Sequence, residues 1–295
     1  MPDKKREDAG LPPGNLSTWM EKLSPKRRDL IQTLLQDPRT YVLLSVRAVA
    51  ARLDTDPATI VRVVQRMGFA NYRAFQNYLH DLSISNATSF DGMQAASESS
   101  AHSGDFEHHM QATLQQDVRN LNALRASLDM NRLKALARRM HTAKRCLILG
   151  GDLAENLVHY LAYHLSIIGL PVHTATTVGR SIHITRSFGK NDLVLAISFR
   201  RGLRHTVDGM KRARSNGAYC VGITGTYISP IARYADEFFI APIESQSFID
   251  SYVAPIALAN QILVAAANYK REISLELLRE ASEEQRRGYR WYEAD

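Results

Sequence analysis

The sequence predicts an α/β protein in two parts: an all-α N-terminal helix-turn-helix domain, then a doubly wound α/β domain with a five-stranded parallel sheet. Three observations carry this. Residues 54–69, DTDPATIVRVVQRMGF, read as a short helix punctuated at both ends. From Lys144 onward, short apolar runs alternate with amphipathic ones. Between them lies SISNATSFDGMQAASESSAHSGD, residues 83–105, rich in Ser, Ala and Gly and without a sustained apolar period. The expected organisation is a helix-turn-helix domain over 1–82, a linker over 83–105, connecting helices over 106–142, an α/β domain over 143–272 and a C-terminal helical tail over 273–295.

Ser24 and Pro25 start the first helix, whose Leu30, Ile31, Leu34 and Leu35 lie on one side. Ser45 caps a second, with apolar Val46, Val49, Ala50 and Leu53, and Asp54-Thr55 makes a tight connection. Asp56 then caps a helix running from about Pro57 to Met67, and Gly68 permits a left-handed stop. On a 3.6-residue wheel Ile60, Val63, Val64 and Met67 share one side, while Ala58, Thr59, Val61, Arg62, Gln65 and Arg66 cover the other. Asn71 caps a further helix carrying Tyr72, Phe75, Tyr78 and Leu79.

In a helix-turn-helix the second helix enters the major groove of DNA, with its N-terminal side chains at base edges. Arg62 suits a base contact because its guanidinium matches both acceptors of guanine, and Ala58, Thr59 and Val61 stand beside it for a thymine methyl or a phosphate. Arg47 and Arg66 fit the phosphate backbone. The bland alternative is solvated arginines on a small helical bundle that binds no nucleic acid. Charge favours a phosphate partner: residues 1–80 hold thirteen Lys or Arg against eight Asp or Glu, a surplus of five in a chain whose net charge is +7. Part of that surplus is the DKKRED segment near the N-terminus, which also reads as a solvated start.

From Phe106 to Met140 the pattern is helical again, with Leu114, Val118, Leu121, Leu124 and Leu128 on one stripe, suited to bridging domains or pairing subunits. The alternation that follows gives a parallel sheet covered on both faces, in which ligands bind beyond the carboxyl ends of the strands. Three such ends stand out. Gly150-Gly151 precedes Asp152 and lacks the third spaced glycine of a dinucleotide fingerprint, so no nicotinamide cofactor is expected. Ser198, Arg200 and Arg201 offer a hydroxyl and two guanidinium forks to a phosphate or carboxylate, unless the arginines pair with acids. Thr224 and Thr226 either add hydroxyls or cap the short helix near Ser229-Pro230.

Composition is that of an ordinary globular protein, 45% apolar and 23% charged over 295 residues. Cys146 and Cys220 sit in apolar strand-like runs, as buried free thiols in a reducing cytoplasm would. No secretory signal or membrane span is expected; residues 252–269, interrupted by Pro255, Asn260 and Gln261, read as a helix in a core or subunit interface. His159 and His164 are five apart and His108 and His109 adjacent, so no metal site is expected.

This order of parts resembles the RpiR family of bacterial transcription regulators, whose second domain has the sugar isomerase (SIS) fold. The resemblance rests on Ala58-Thr59-Ile60 with Arg62, Met67-Gly68-Phe69 and Tyr72-Arg73-Ala74-Phe75. In the second domain it rests on Gly150, Ala196-Ile197-Ser198, Ile223-Thr224 and Ser229-Pro230-Ile231-Ala232. It implies a DNA operator as partner and a phosphorylated sugar held by strand-end loops. The chain departs from the pattern with Asp152 and Ala154 in the first loop and Arg200 and Leu203 in the second, where the family carries glycine and hydroxyl residues. Either arginine replaces those hydroxyls on the phosphate or the pocket takes another anion, such as a sugar acid. The expectation is a cytoplasmic, non-enzymatic regulator, a homodimer or homotetramer without cofactor. The rival readings are a sugar-phosphate isomerase using His183 or His205 as base, and a module whose helical domain binds protein.

Overall fold

A computed structural model of the chain describes residues 23–86, 89–100, 106–200, 202–226 and 229–286. The chain divides into two compact units, with the boundary along the sequence between Ala87 and Thr88.

The described residues of the first unit form five helices: α1 (Pro25–Gln36), α2 (Pro38–Val42), α3 (Val46–Arg52), α4 (Pro57–Arg66) and α5 (Tyr72–Asn86). Helix α2 was not anticipated, although it repeats the signal that located α4: Asp37 accepts from Thr40 N–H at 3.3 Å, with Pro38 in the first turn. Burial follows the wheel. Ile60, Val63, Val64 and Met67 are fully enclosed with Ile31, Leu34, Val49, Phe75 and Leu79 in one core, each side chain contributing roughly 1.5–3 kcal/mol by leaving water. Phe69 closes that core edge-on to Phe75, with ring centroids 5.2 Å apart. Asp54 takes up a left-handed backbone at φ 47° in the turn between α3 and α4, and Gly68 does so at φ 89° after α4.

The second unit begins with α6 (Ser89–Ser100), α7 (Phe106–Ser127) and α8 (Met130–Thr142). It continues through β1 (Arg145–Leu149), α9 (Ala154–Ile167), β2 (Val172–Ala175), α10 (Val178–Ile184), β3 (Asp192–Ile197) and α11 (Arg204–Ser215). The last elements are β4 (Tyr219–Thr224), a 3-10 turn (Pro230–Arg233), β5 (Glu237–Ile240), α12 (Val253–Tyr269) and α13 (Arg271–Glu284). The five strands are all parallel, in the order β2-β1-β3-β4-β5. Period-two alternation sorts their side chains. Cys146, Ile148, Leu195, Ile197 and Ile223 pack with α8, α9 and α12, whereas Leu147, Leu149, Val194, Ala196 and Cys220 pack with α11. Both thiols are buried and free, and burial first, then Asp192 and Asp236 respectively, pushes each up to about 12.

One expectation is revised. Residues 89–100 are helical where a linker was expected. Gly92, which reads as a helix breaker, is the residue whose missing side chain lets α6 press on the Ser247 carbonyl. The α7 stripe is helical as expected, and much of it stands in solvent. Leu124 is buried, yet Leu114 is 66% and Val118 52% exposed, and the enclosed side of the helix is anchored instead by Asn120. Residues 253–269 are helical, as expected, and Pro255 falls in the first turn of α12, where its missing N–H has no helical partner to lose. Among the described residues no helix is long and apolar enough to cross a membrane.

Candidate functional sites

The first site is the outer face of α4. Asp56 accepts from Thr59 N–H at 2.8 Å and from the Thr59 hydroxyl at 2.5 Å. That hydroxyl first, then the N–H and the nearby Arg62, hold the carboxyl below its usual value. Arg62 lies back along the helix, donating Nε to Ala58 O at 3.2 Å and Nη2 to Thr59 Oγ1 at 3.3 Å, with 64% of its side chain exposed. Ala58, Gln65 and Arg66 are also exposed, Thr59 and Val61 half-buried, and Arg47 is exposed on α3. The face therefore presents small and cationic side chains over a rigid apolar back, and the guanidinium is held only by weak surface contacts.

The second site is the carboxyl edge of the sheet. The chain runs from β1 outward to β2 and returns to β3 on the other side of β1, so the crevice between these paths opens beyond Leu149 and Ile197. Gly150 and Gly151 are both buried there for steric reasons. A Cβ on Gly150 would stand 2.8 Å from Val158 Cγ2, and one on Gly151 2.7 Å from His205 Nε2. Ser198 donates its N–H to Ile223 O at 3.0 Å, which extends the β3–β4 register, so Ser198 and Thr224 stand side by side. By the same alternation both follow Ala196 and Gly222 onto the α11 face.

Several buried polar atoms lie at the end of β4 and in the segments that follow β3 and β4. Thr224 Oγ1, Ser229 Oγ, Thr206 Oγ1 and His205 Nε2 are buried without a hydrogen-bond partner among the described residues. A buried hydroxyl left in this way is rare and costly, and it marks a place where water or a ligand completes the structure. Ser229 does not cap the following 3-10 turn with its side chain, nor is Thr224 used as a cap. Thr226 is buried and groups with the helical unit. Arg201 lies outside the described residues.

Arg200 meets an acid. Its Nε donates to both oxygens of Asp250, at 2.7 and 2.8 Å, and Nη2 also bonds Asp250 Oδ1. Its backbone is left-handed at φ 51°, as is that of Asp152 at φ 54°. Tyr252 packs edge-on to Phe199 at 5.3 Å. Burial first, then the charges of Asp250 and Asp152, raises the Tyr252 hydroxyl above the ordinary phenol range, with Arg200 opposing. Sequence reasoning passed over Asp250 because the acid precedes its helix by two residues and lies fifty residues from its partner. The signal available was an acid beside an otherwise apolar run. Among the described residues no group of three His, Cys, Asp or Glu is placed to hold a metal ion.

Comparison with known proteins agrees with this division. A helix-turn-helix domain of the rpiR family matches residues 14–86 and a SIS domain matches residues 139–265. The chain is 23% identical over 222 residues to a helix-turn-helix-type transcriptional regulator of Haemophilus influenzae, covering 75% of this chain and 76% of the relative. It is 22% identical over 268 residues to another such regulator from the aarA 3' region of Providencia stuartii, covering 84% and 92%. The sugar isomerase domain of the RpiR transcription factor from Sphaerobacter thermophilus superposes with a TM-score of 0.55 at 25% identity, over 58% of this chain and 96% of that one. The Vibrio vulnificus NanR protein complexed with ManNAc-6P shares the fold with a TM-score of 0.57 at 20% identity, over 91% and 95%. Fold and sites together define a transcription regulator that joins a helix-turn-helix to a SIS domain. The chain belongs to the RpiR family.

Proposed function

We propose that this regulator reads an operator with α4 and senses a small anionic metabolite, a phosphorylated sugar or sugar acid, at the carboxyl edge of β1, β3 and β4. The observation that carries the sensing role is the pair of buried, unpartnered hydroxyls of Thr224 and Ser229 in the same edge as Ser198. Phosphate and sugar oxygens are the groups such hydroxyls satisfy, and Gly150 and Gly151 let Val158 and His205 pack directly against the end of β1. Arg200 takes part through its guanidinium once an anion competes for it. The role proposed for Arg201 rests on sequence alone. On the DNA side Arg62 reads a base, Ala58, Thr59 and Val61 line the contact, and Arg47 and Arg66 clamp phosphates.

The functional form is a homodimer or homotetramer, because α7 presents Leu114 and Val118 and α12 presents Ile256 and Val264 to solvent in the single chain. Binding to DNA and sensing of the metabolite place the protein in the cytoplasm. Differential scanning fluorimetry of the full chain against phosphorylated sugars and sugar acids tests the sensor, since a ligand selective for the native state raises its melting temperature. ManNAc-6P, which the Vibrio vulnificus NanR protein is complexed with, belongs in that panel. A flat response across the panel would remove the sensing role.

One observation supports a second reading. His205 Nε2 is buried beside Gly151 and has no partner among the described residues, and an imidazole there is of the type that serves as a general base. His183, by contrast, is exposed on α10. Turnover of a bound phosphosugar that disappears in His205→Gln would establish that reading, and binding without turnover favours the regulator.

A further inference from the structure

Residues 244–251, between β5 and α12, touch the crevice at one end and two helices along their length. Asp250 holds the Arg200 fork, and the next residue, Ser251, donates its hydroxyl to Asp117 of α7 at 2.5 Å. At the other end Asn120, only 1% exposed, donates Nδ2 to Glu244 O at 2.8 Å. In the middle the Ser247 carbonyl lies so close to Gly92 of α6 that a side chain there would collide with it.

We propose that residues 244–251 form a strap carrying the state of the crevice to α6 and α7, and that the Arg200–Asp250 pair is its latch. This rests on reading the carboxyl edge as the effector site. A guanidinium fork that engages both oxygens of a carboxylate is the same fork an incoming phosphate or carboxylate requires. When the ligand anion takes it, Asp250 loses its partner, and the strap is released one residue from its hydrogen bond to α7. That exchange is a contact made in one arrangement and not in the other, which is what a ligand needs in order to shift an equilibrium. The helices it reaches are the first two of the α/β unit in chain order, so they form the covalent route from the sensor back to the DNA-reading unit.

Hydrogen exchange of the full chain followed by mass spectrometry tests the strap without knowledge of the ligand. Asp250→Asn keeps the shape of the residue and removes its charge. It should speed amide exchange over 244–251 and 116–120 by about tenfold while leaving the β3 amides unchanged. Ser251→Ala, which removes only the hydrogen bond to Asp117, should speed 116–120 and serves if the first variant folds poorly. Unchanged exchange at both segments in both variants overturns the proposal. Inorganic phosphate added to the wild type should reproduce the Asp250→Asn pattern. Phosphate that protects 198–206 but leaves 244–251 as it was overturns the strap and leaves the effector site standing. Absence of any phosphate effect counts against the site, and the variant comparison still decides the strap.

Discussion

Replacing Thr224 by Val tests the sensing edge most directly, because it changes one buried atom and almost no volume. Thr224 is 0% exposed and its Oγ1 has no protein partner among the described residues, so whatever part of its desolvation penalty water does not offset falls on the ligand-free protein. That penalty is about 1–3 kcal/mol, and an apolar group of the same shape removes it. Thr224→Val should therefore stabilise the ligand-free α/β unit, raising its melting temperature by about 2–4 °C for each kcal/mol recovered. The same hydroxyl bonded to a charged ligand oxygen is worth about 1.5–3 kcal/mol, so the variant should bind a phosphosugar about 10- to 100-fold more weakly. Scanning calorimetry of wild type and variant, each with and without saturating ligand, reads both effects. Circular dichroism confirms equal helix and strand content. A variant that melts lower than wild type, or that keeps the full ligand-induced shift, refutes the reasoning, since the hydroxyl would then have a partner in the empty protein or none in the complex.

Other expectations concern distinct links of the same argument. Arg62→Ala should cost about 1–3 kcal/mol in operator binding and relax preference at one base position. Arg66→Ala should weaken all sequences alike and flatten the salt dependence, as titrations at several salt concentrations will show. Cys146 and Cys220, with thiols near 12, should resist alkylation at pH 8 in the native protein and react once urea unfolds it. Asp192 is buried and paired with Arg145 at 2.7 Å. Burial raises its carboxyl, but the Arg145 guanidinium and the Gly189 N–H outweigh that and hold it below the usual value. The lowered value makes its stabilisation complete above the unfolded value of about 3.9 and lost as pH falls through the lower folded one. Asp192→Asn should then lose roughly 2–3 kcal/mol at pH 6, with the gap to wild type narrowing below pH 4 in urea unfolding.

Four of the helices of the first unit, α1, α3, α4 and α5, were legible because each local signal agreed with the next, while α2 was not anticipated. Asp56, Pro57 and Gly68 bound a helix whose apolar side is the side the core encloses. The sheet was legible because five short apolar runs alternated with amphipathic ones. What escaped was long-range pairing. Nothing near Arg200 in the chain announces Asp250, and nothing near Glu244 announces Asn120, since such contacts are made by the fold and not by spacing. Helix α6 was missed for a different reason: its Ser- and Gly-bearing sequence has weak intrinsic helicity, and tertiary packing against Ser247 overrides it.

The strand order also has a consequence for how the molecule is made. β1 is first in the chain yet sits with β2 on one flank and β3 on the other, and β4 and β5 extend the growing edge in turn. Parallel pairings of this kind close late, because each waits for a helix to be laid down in between, whereas the described helices of the first unit are near neighbours in the chain. On refolding, the helix-turn-helix half should be native before the sheet of the other half is closed.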